Sequence, residues 1–364
     1  MRFCKQADPR GVTRRVHLLV VLIMLSLMLS SCIRLKIALD KSSIEGISDD
    51  ILADFSTDSS ATLKAYLDDY SLVDTDQPLY SPKIDEEPLE TWLLEGDLIQ
   101  KKISFSSPIT RENGQQDTAT FYLYQNGSLK EGKVILWIPG FGVSDLAFWF
   151  IKEFFYNEIK AGYSVLFYNI PYHLDRIEDD AEMGEGLFTA SHIHNLETVR
   201  HILYEISVAL AYLKQKEVAD ISGWGGSIGA AFLWLSSHSF RYDHMTLMIP
   251  IVDWHSIIFN PSMKSVLDRM LRSGLTRELL HRSYQKINPI NVSTRTDPDK
   301  IQILYARHDQ LTPEKRLLEF VKGWGISNLH GYEESHSSIL INDEMYDVNL
   351  DFLRRLQKTG QNSK

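Results

Sequence analysis

A G-x-S-x-G motif at residues 225–229 constrains the fold of this 364-residue chain more than any other feature. A strand-like run precedes the motif at 218–223, and an apolar run typical of a helix follows it at 228–235. A serine at a sharp turn from a strand into a helix has a strained backbone, which pushes its hydroxyl group outward. Glycines flank such a serine because no Cβ atom fits where strand and helix approach so closely. The motif therefore predicts that Ser227 is a reactive serine at the end of a buried strand.

Two later loops carry the residue types that a reactive serine needs. A serine hydroxyl requires a general base, which is itself oriented by a carboxylate. Asp309 follows the strand-like run 301–306 and precedes Pro313, which is suited to the first turn of a helix. His336 is the last histidine of the chain and lies in another loop ahead of a helix-like segment. Taken singly, Asp309 also fits a helix N-cap and His336 an ordinary loop histidine, whereas their order after Ser227 favours nucleophilic catalysis.

With these residues the chain resembles the serine α/β-hydrolase superfamily over residues 99–358. The likeness extends to 137–142, where the superfamily usually has His-Gly and then a residue whose backbone N–H binds the oxyanion; Pro139 replaces the usual histidine. A backbone donor does not depend on the side chain. The resemblance therefore implies an oxyanion hole formed by the N–H groups of Phe141 and Ile228, and a site that needs no cofactor.

The resemblance leaves a choice between two acids. Asp309 follows the strand after which the superfamily more usually has its acid, whereas Asp253 follows the earlier strand 245–250, which some members use. We take Ser227 as the nucleophile, His336 as the base and Asp309 as the acid.

Strand-like and helix-like segments alternate, which predicts an α/β-hydrolase fold with a mostly parallel central sheet and helices on both faces. Residues 81–88 have the composition of a loop, and 254–298 form a helical insertion, which in this fold usually covers the site as a lid. The predicted strands span 99–106, 119–125, 133–138, 164–169, 218–222, 245–250, 301–306 and 326–331. The predicted helices span 145–160, 195–216, 228–238, 313–323 and 339–357.

The remaining histidines do not predict a metal site. His192 and His194 lie two residues apart at the start of a helix, so they do not share a face. The chain has no H-E-x-x-H motif and no paired C-x-x-C motif. His173 belongs to a Pro-Tyr-His-x-x-Arg stretch in the insertion 171–194, and we favour a structural loop histidine over a pocket residue.

The N-terminus resembles a bacterial lipoprotein signal peptide. Basic residues precede an apolar run at 18–29, which is too short to span a bilayer comfortably. Residues 29–32, Leu-Ser-Ser-Cys, resemble the lipobox, in which the preceding segment is removed and the cysteine is lipidated. We therefore predict a signal peptide over 1–31 and a palmitate-type lipid anchor on Cys32. The alternatives are an uncleaved signal anchor and a buried helix of a cytoplasmic protein.

Composition sets the other domain boundaries. Residues 38–98 carry 16 Asp or Glu against 3 Lys. We interpret 32–98 as an acidic tether followed by an N-terminal helical extension, with a helix over Ser48–Tyr70 that Ser48 caps. The hydrolase domain then spans 99–358, and residues 359–364 form a C-terminal tail.

The charge of the chain excludes nucleic acid as a partner. The formal net charge is −10, and removal of residues 1–31, which carry a net +4, leaves −14. Phosphate backbones repel so acidic a protein. The other cysteine, Cys4, lies in the segment predicted to be removed, so the mature chain is expected to have no disulfide.

Together these features predict an exported, membrane-anchored serine hydrolase on the periplasmic or surface side of a bacterial membrane. Its expected reaction is the hydrolysis of an acyl ester, as in a carboxylesterase or a lipase. Its expected partners are a small-molecule or lipid acyl substrate and the membrane that holds its lipid anchor; no obligate protein partner is inferred. An acyltransferase or a peptidase would use the same three side chains, and a catalytically inactive lipoprotein would retain the fold.

We expect Cys32→Ala to abolish lipid labelling of the chain, because the lipobox cysteine is the acylated residue. The measurement is metabolic labelling with a palmitate analogue in cells that express either the parent or the variant. Label on both proteins, or on neither while the chain stays with the membrane, would support an uncleaved anchor helix instead.

Overall fold

The structure is a computed structural model that describes residues 33–50, 58–72, 82–88, 99–110, 114, 116–142, 145–178 and 181–361. Within these residues, nine strands form one sheet in the order β1-β2-β3-β5-β4-β6-β7-β8-β9. The strands are β1 (Asp85–Pro88), β2 (Ile99–Thr110), β3 (Gln116–Gln125), β4 (Lys133–Ile138), β5 (Ser164–Asn169), β6 (Asp220–Gly226), β7 (Met245–Met248), β8 (Ile301–Ala306) and β9 (Asn328–Tyr332).

The sheet is parallel from β5 to β9 and antiparallel at its other edge. Strands β5, β4, β6, β7, β8 and β9 run in one direction, whereas β1, β2 and β3 are joined by antiparallel pairing. Parallel neighbours need a crossover, and helices supply it here. Along β4 the side chains alternate between two cores, with Val134 and Leu136 in one and Ile135 and Trp137 in the other. Both faces of the sheet are therefore buried at β4.

The helices of the described residues cover these two faces. Helices α4, α5 and α9 contribute to one core, and α3 and α10 contribute to the other. Helices α6, α7 and α8 lie in the insertion between β7 and β8. The helices are α1 (Ile33–Asp50), α2 (Ser60–Asp69), α3 (Asp145–Lys160), α4 (His192–Gln215), α5 (Ile228–Ser236), α6 (Trp254–Ile258), α7 (Lys264–Arg272), α8 (Arg277–Gln285), α9 (Glu314–Trp324) and α10 (Asp343–Gln361).

The buried strands match the sequence-based boundaries best. The strands predicted over 133–138, 164–169 and 301–306 have the observed limits. The predicted loop 81–88, in contrast, contains β1, which pairs antiparallel with Lys101–Ser104 of β2. All four residues of β1 are exposed. No alternation of apolar and polar side chains therefore marks β1 in the sequence.

The N-terminal region differs from the tether and helix that composition predicts. Helix α1 occupies the start of the expected tether and contains Ser48, the expected cap. The following helix, α2, is capped instead by Ser59, whose hydroxyl accepts the N–H of Thr62 (3.1 Å). Two leucines of α2, Leu63 and Leu67, are buried in the core that contains Val134 and Leu136. The described part of the extension thus contains helices α1 and α2 and strand β1.

Some sequence-based interpretations fall on residues outside the described part of the chain. These are the signal peptide over 1–31, the lipidation residue Cys32, and residues 51–57 inside the expected Ser48–Tyr70 helix. In the described part, no helix combines the length and the apolar character that a membrane span requires. Helix α10 continues to Gln361, past the expected domain end at 358.

A buried ion network fixes the segment 171–176, which follows β5. The guanidinium of Arg176 donates to Asp117 of β3 (Nε to Oδ2, 3.0 Å) and to both carboxylate oxygens of Glu205 in α4 (2.8 and 2.9 Å). It also donates to the carbonyl oxygen of Asn169 (2.9 Å). The three charged side chains are buried. Because a buried charge without a partner is costly, this network holds the segment in one place.

We expect Arg176→Met to lower the free energy of unfolding by about 3–5 kcal/mol, because Asp117 and Glu205 would remain buried without their cation. Chemical denaturation of the variant and the parent measures the difference. The matched control is Arg241→Met, which removes a solvent-exposed pair with Asp297 and should cost less than about 1 kcal/mol. Equal losses in the two variants would contradict the role given to the buried network.

Candidate active site

Ser227 lies on the sharp turn that the motif predicts. Its backbone has φ 52° and ψ −116°, and it joins the end of β6 to the start of α5. A Cβ atom on Gly225 would lie 2.6 Å from Cα of Ala230, and one on Gly229 would lie 2.2 Å from the carbonyl oxygen of Ile138. Strand and helix therefore approach too closely for a side chain at either glycine.

The side chains of Ser227, His336 and Asp309 form a continuous chain of hydrogen bonds. Oγ of Ser227 lies 2.8 Å from Nε2 of His336, and Nδ1 of His336 lies 2.7 Å from Oδ2 of Asp309. The other carboxylate oxygen of Asp309 accepts the N–H groups of Leu311 (2.7 Å) and Thr312 (2.8 Å). These two bonds hold the carboxylate so that it faces the imidazole. The structure thus brings together the three residues that the sequence singled out.

The sheet explains why residues so far apart in sequence meet. Ser227 follows β6, Asp309 follows β8 and His336 follows β9. These parallel strands end at one edge of the sheet, where open α/β sheets form their sites. Strand β4 pairs with β6 and ends at the same edge, which places the loop 139–142 beside Ser227.

Asp253, the alternative acid, is engaged elsewhere. Its Oδ2 accepts from Arg316 (Nη2 2.6 Å, Nε 3.0 Å) and from the hydroxyl of Ser256 (2.7 Å). Burial raises the pKa of Asp253, but the hydrogen bonds from Ser256 and Arg316 outweigh burial and hold the pKa below its usual value. The carboxylate on His336 is therefore that of Asp309 and not that of Asp253.

The surroundings of His336 favour its protonated form. Burial lowers its pKa, whereas the charge and hydrogen bond of Asp309 and the charge of Asp40 raise the pKa, and the net shift is upward. Asp40 belongs to α1, and its carboxylate accepts the N–H of His336 (2.7 Å). No motif in the sequence marks Asp40, because its partners are distant in the chain. A base must be neutral to take a proton, so chemistry that depends on His336 should decline toward acid at a higher pH than it would with an unperturbed histidine.

The two expected oxyanion donors lie beside Ser227. Phe141 and Ile228 both line the cavity next to the serine. Within the described residues, their N–H groups have no hydrogen-bond acceptor. The neighbouring Gly142 donates its N–H to Nε2 of His173 (3.0 Å). The loop 139–142 is therefore anchored at Gly142 while the preceding N–H is available to a ligand.

His173 anchors the loop 139–142 by accepting the N–H of Gly142. Its Nδ1–H donates to the carbonyl oxygen of Pro171 (2.9 Å), so Nε2 is the acceptor for Gly142. Burial lowers the pKa of His173 to about 4, which keeps the ring neutral and able to accept that bond. His173 lies three residues before Arg176 and its buried ion network, so the same fixed segment supports the loop. His173 is thus a structural histidine in a position that bears on the site.

An apolar cavity of about 140 Å³ lies next to Ser227. Helices α6, α7 and α8 and the turn before α7 form its roof, so the insertion between β7 and β8 covers the site as a lid. The residues that line the cavity are Phe141, Phe188, Thr189, Asn195, Ser227, Ile228, Ile251, Trp254, Ile257, Ile258, Met263, Val266, Met270, Tyr284 and Leu311. Few of these side chains are polar, which suits the apolar part of a ligand.

Comparison with known proteins bears on the fold. No family model matches the chain, and no curated protein matches it. An acetyl xylan esterase from Paenibacillus sp. R4 has a TM-score of 0.53 at 11% identity, over 85% of this chain and 98% of that protein. A protein from Agrobacterium vitis S4 has a TM-score of 0.51 at 13% identity, over 71% and 98%. An esterase from Pyrococcus furiosus has a TM-score of 0.49 at 15% identity, over 74% and 97%.

The chain has the α/β-hydrolase fold. At these identities the likeness to the first two proteins speaks for the fold alone, and it confirms the predicted mostly parallel sheet with helices on both faces. In the α/β-hydrolase fold the nucleophile, the acid and the base come in this order along the chain. Ser227, Asp309 and His336 have that order and lie at the expected edge of the sheet.

We expect Asp309→Asn to lower the pKa of His336, because the variant removes the negative charge that raises the pKa and leaves burial, which lowers it. An NMR titration of the imidazole measures the shift. The matched control is Asp253→Asn, which changes a carboxylate bound to Arg316 and should leave the pKa of His336 unchanged. A shift in the control with none in Asp309→Asn would move the acid to Asp253.

Proposed function

We propose that this protein is a serine hydrolase that cleaves carboxylic esters through Ser227, His336 and Asp309. The observation that carries the proposal is the hydrogen-bonded chain from Ser227 Oγ through the imidazole to Asp309, with distances of 2.8 and 2.7 Å. A nucleophile and a base within hydrogen-bond reach, with the base oriented by a carboxylate, are the parts that acyl transfer needs. The adjacent apolar cavity offers a place for the acyl group.

In the first half of the proposed reaction, Ser227 forms an acyl-enzyme. Oγ attacks the ester carbonyl while Nε2 of His336 takes the hydroxyl proton. Asp309 stabilises the imidazolium and keeps Nδ1–H directed at its carboxylate. The N–H groups of Phe141 and Ile228 would bind the oxygen that becomes negative. The imidazolium then gives its proton to the departing alcohol.

In the second half, water takes the place of the alcohol. His336 removes a proton from the water, which attacks the acyl-enzyme, and the imidazolium returns the proton to Oγ of Ser227. The products are a carboxylic acid and an alcohol, and the enzyme is regenerated. An acyltransferase would differ only in using a second alcohol in place of water, so the acceptor decides between the two activities.

The size of the cavity indicates the acyl groups that fit. Its volume of about 140 Å³ is close to the ~150 Å³ of an apolar protein cavity that holds benzene. An acyl group of roughly that bulk would fill the cavity. We therefore propose short or medium acyl esters as the substrates.

We also propose that the protein is exported and held at a membrane by a lipid on Cys32. The support is the order of features in residues 1–32, with basic residues, a short apolar run and small residues before the cysteine. Stable anchoring takes more than one acyl chain, which the lipoprotein modification would supply. Cys32 directly precedes Ile33, the first described residue of α1, so the anchor would be adjacent to this helix in the sequence.

We expect Ser227→Ala to lower kcat for ester hydrolysis by about 10⁴–10⁶-fold, because only the oxyanion donors and substrate binding would remain. Folding should persist, since the turn is formed by the backbone and the neighbouring glycines. The measurement is the hydrolysis of p-nitrophenyl esters of increasing acyl length, with circular dichroism as the check on folding. An added alcohol acceptor, with analysis of the products, detects acyl transfer in the same assay.

The matched control is Ser236→Ala, at the other end of the same helix. The hydroxyl of Ser236 is buried and bonds to Leu233 and Tyr242 and not to His336. We expect its kcat to equal that of the parent. Near-normal turnover by a folded Ser227→Ala protein would contradict the proposed function.

A further inference from the structure

Helix α1 contacts the loop that carries His336 through one buried carboxylate. Asp40 is 1% exposed. Its Oδ2 accepts the N–H of His336 (2.7 Å), and its Oδ1 accepts the N–H of Ser337 (3.0 Å) and the hydroxyl of Ser335 (3.0 Å). Three donors from three consecutive residues thus converge on a side chain from the far end of the sequence.

These bonds give the N–H groups of the loop the acceptors that a strand or a helix would otherwise supply. Residues 333–337 lie between β9 and the next helical turn and belong to no strand or helix. A buried N–H without an acceptor costs free energy, so such groups find partners. For His336 and Ser337 the partner is Asp40. The carboxylate therefore sets where the backbone of His336 lies, and with it the reach of the imidazole toward Ser227.

A second residue of α1 holds the same loop. Lys36 lies one helical turn before Asp40, so both side chains are on one face of the helix. Nζ of Lys36 donates to Glu334 (Oε2, 2.6 Å) and to the carbonyl oxygen of Glu333 (3.4 Å). Glu334 in turn accepts from the hydroxyl of Ser338 (2.6 Å). Side chains on one face of α1 thus bind loop residues that precede and follow His336 in the sequence.

The same helix also packs against the lid. Helix α1 contacts the turn Pro261–Met263 and helix α7. Three residues of these two elements, Met263, Val266 and Met270, line the cavity beside Ser227. The N-terminal helix therefore connects the roof of the cavity to the loop of the histidine.

We infer that Asp40 is a positioning residue of the active site, which fixes the His336 loop and makes the N-terminal helix a working part of the hydrolase and not a passive tether. This inference rests on the proposed function. Asp40 does not touch the reacting atoms and acts through His336. Its acidic charge also stabilises the imidazolium that forms when His336 takes the proton of Ser227.

The charge of Asp40 predicts a pH signature. Burial lowers the pKa of His336, and Asp309 and Asp40 raise it. Loss of the Asp40 charge should therefore shift the acid-side midpoint of kcat/KM to lower pH, since His336 would stay neutral further into acid. The described charged and titratable groups that contact this loop are Asp309, Asp40, Lys36 with its partner Glu334, and Arg307 and His308 with their partner Glu333.

The test compares Asp40→Asn with the parent in full pH–rate profiles. We expect kcat to fall by about 10–100-fold. The NH₂ of the asparagine side chain would face the N–H of His336, and because both groups are donors, the loop would be displaced. We expect the acid-side midpoint to move to lower pH. Parent-like kcat and an unchanged midpoint in the folded variant would overturn the inference.

The matched control is Asp58→Asn, in the same N-terminal region. Asp58 also accepts a serine hydroxyl and a backbone N–H, from Ser191 (2.9 Å) and Ile193 (3.1 Å), but it does not contact the His336 loop. Its acid-side midpoint should equal that of the parent. An equal shift in both variants would overturn the inference, because it would reflect general loosening of the extension.

Two further measurements keep the inference testable. If Asp40→Asn does not fold, Asp40→Glu keeps the charge and moves the carboxylate by one methylene. This variant should lower kcat and leave the acid-side midpoint in place, and parent-like kcat would overturn the inference.

If the parent hydrolyses no ester, the proposed function fails. The pKa of His336 by NMR then decides separately, since Asp40→Asn should still lower it and an unchanged value would overturn the inference.

Discussion

The backbone at Ser227 is the constraint around which the site is arranged. Its positive φ of 52° is a backbone conformation that residues other than glycine rarely adopt, and strain of this kind costs about 1–3 kcal/mol. The surrounding backbone compensates, because the N–H of Ser227 donates to Met248 of β7 (2.9 Å) and its carbonyl oxygen accepts from Ile251 (3.3 Å). The strained turn aims Oγ at His336, and the cavity, the loop 139–142 and the lid all surround that point.

The sequence predicted the parts that depend on local pattern. Buried strands such as β4, β5 and β8 are mostly apolar, so their limits are visible as composition. The order of Ser227, Asp309 and His336 after three such strands brought them to one edge of a parallel sheet. The choice of Asp309 over Asp253 agrees with the observed hydrogen bonds, since Arg316 engages Asp253.

The sequence could not predict the parts that depend on distant partners. Strand β1 is exposed throughout, and only its pairing with β2 makes it a strand. Asp40 lies in an acidic stretch where composition indicates a tether, and its partners at Ser335, His336 and Ser337 are 295 to 297 residues away in the sequence. His173 is similar, because its contact with Gly142 crosses from one loop to another. Such residues are found only when the packing of the loops is known.

The proposed mechanism depends on Ser227 as the nucleophile. The most direct measurement is intact-mass analysis and peptide mapping after reaction with a fluorophosphonate, which phosphonylates an activated serine and displaces fluoride. We expect one adduct, on the peptide that contains Ser227, formed more slowly as the pH falls and His336 becomes protonated. An unmodified protein that is folded, or an adduct on any other residue, would contradict it.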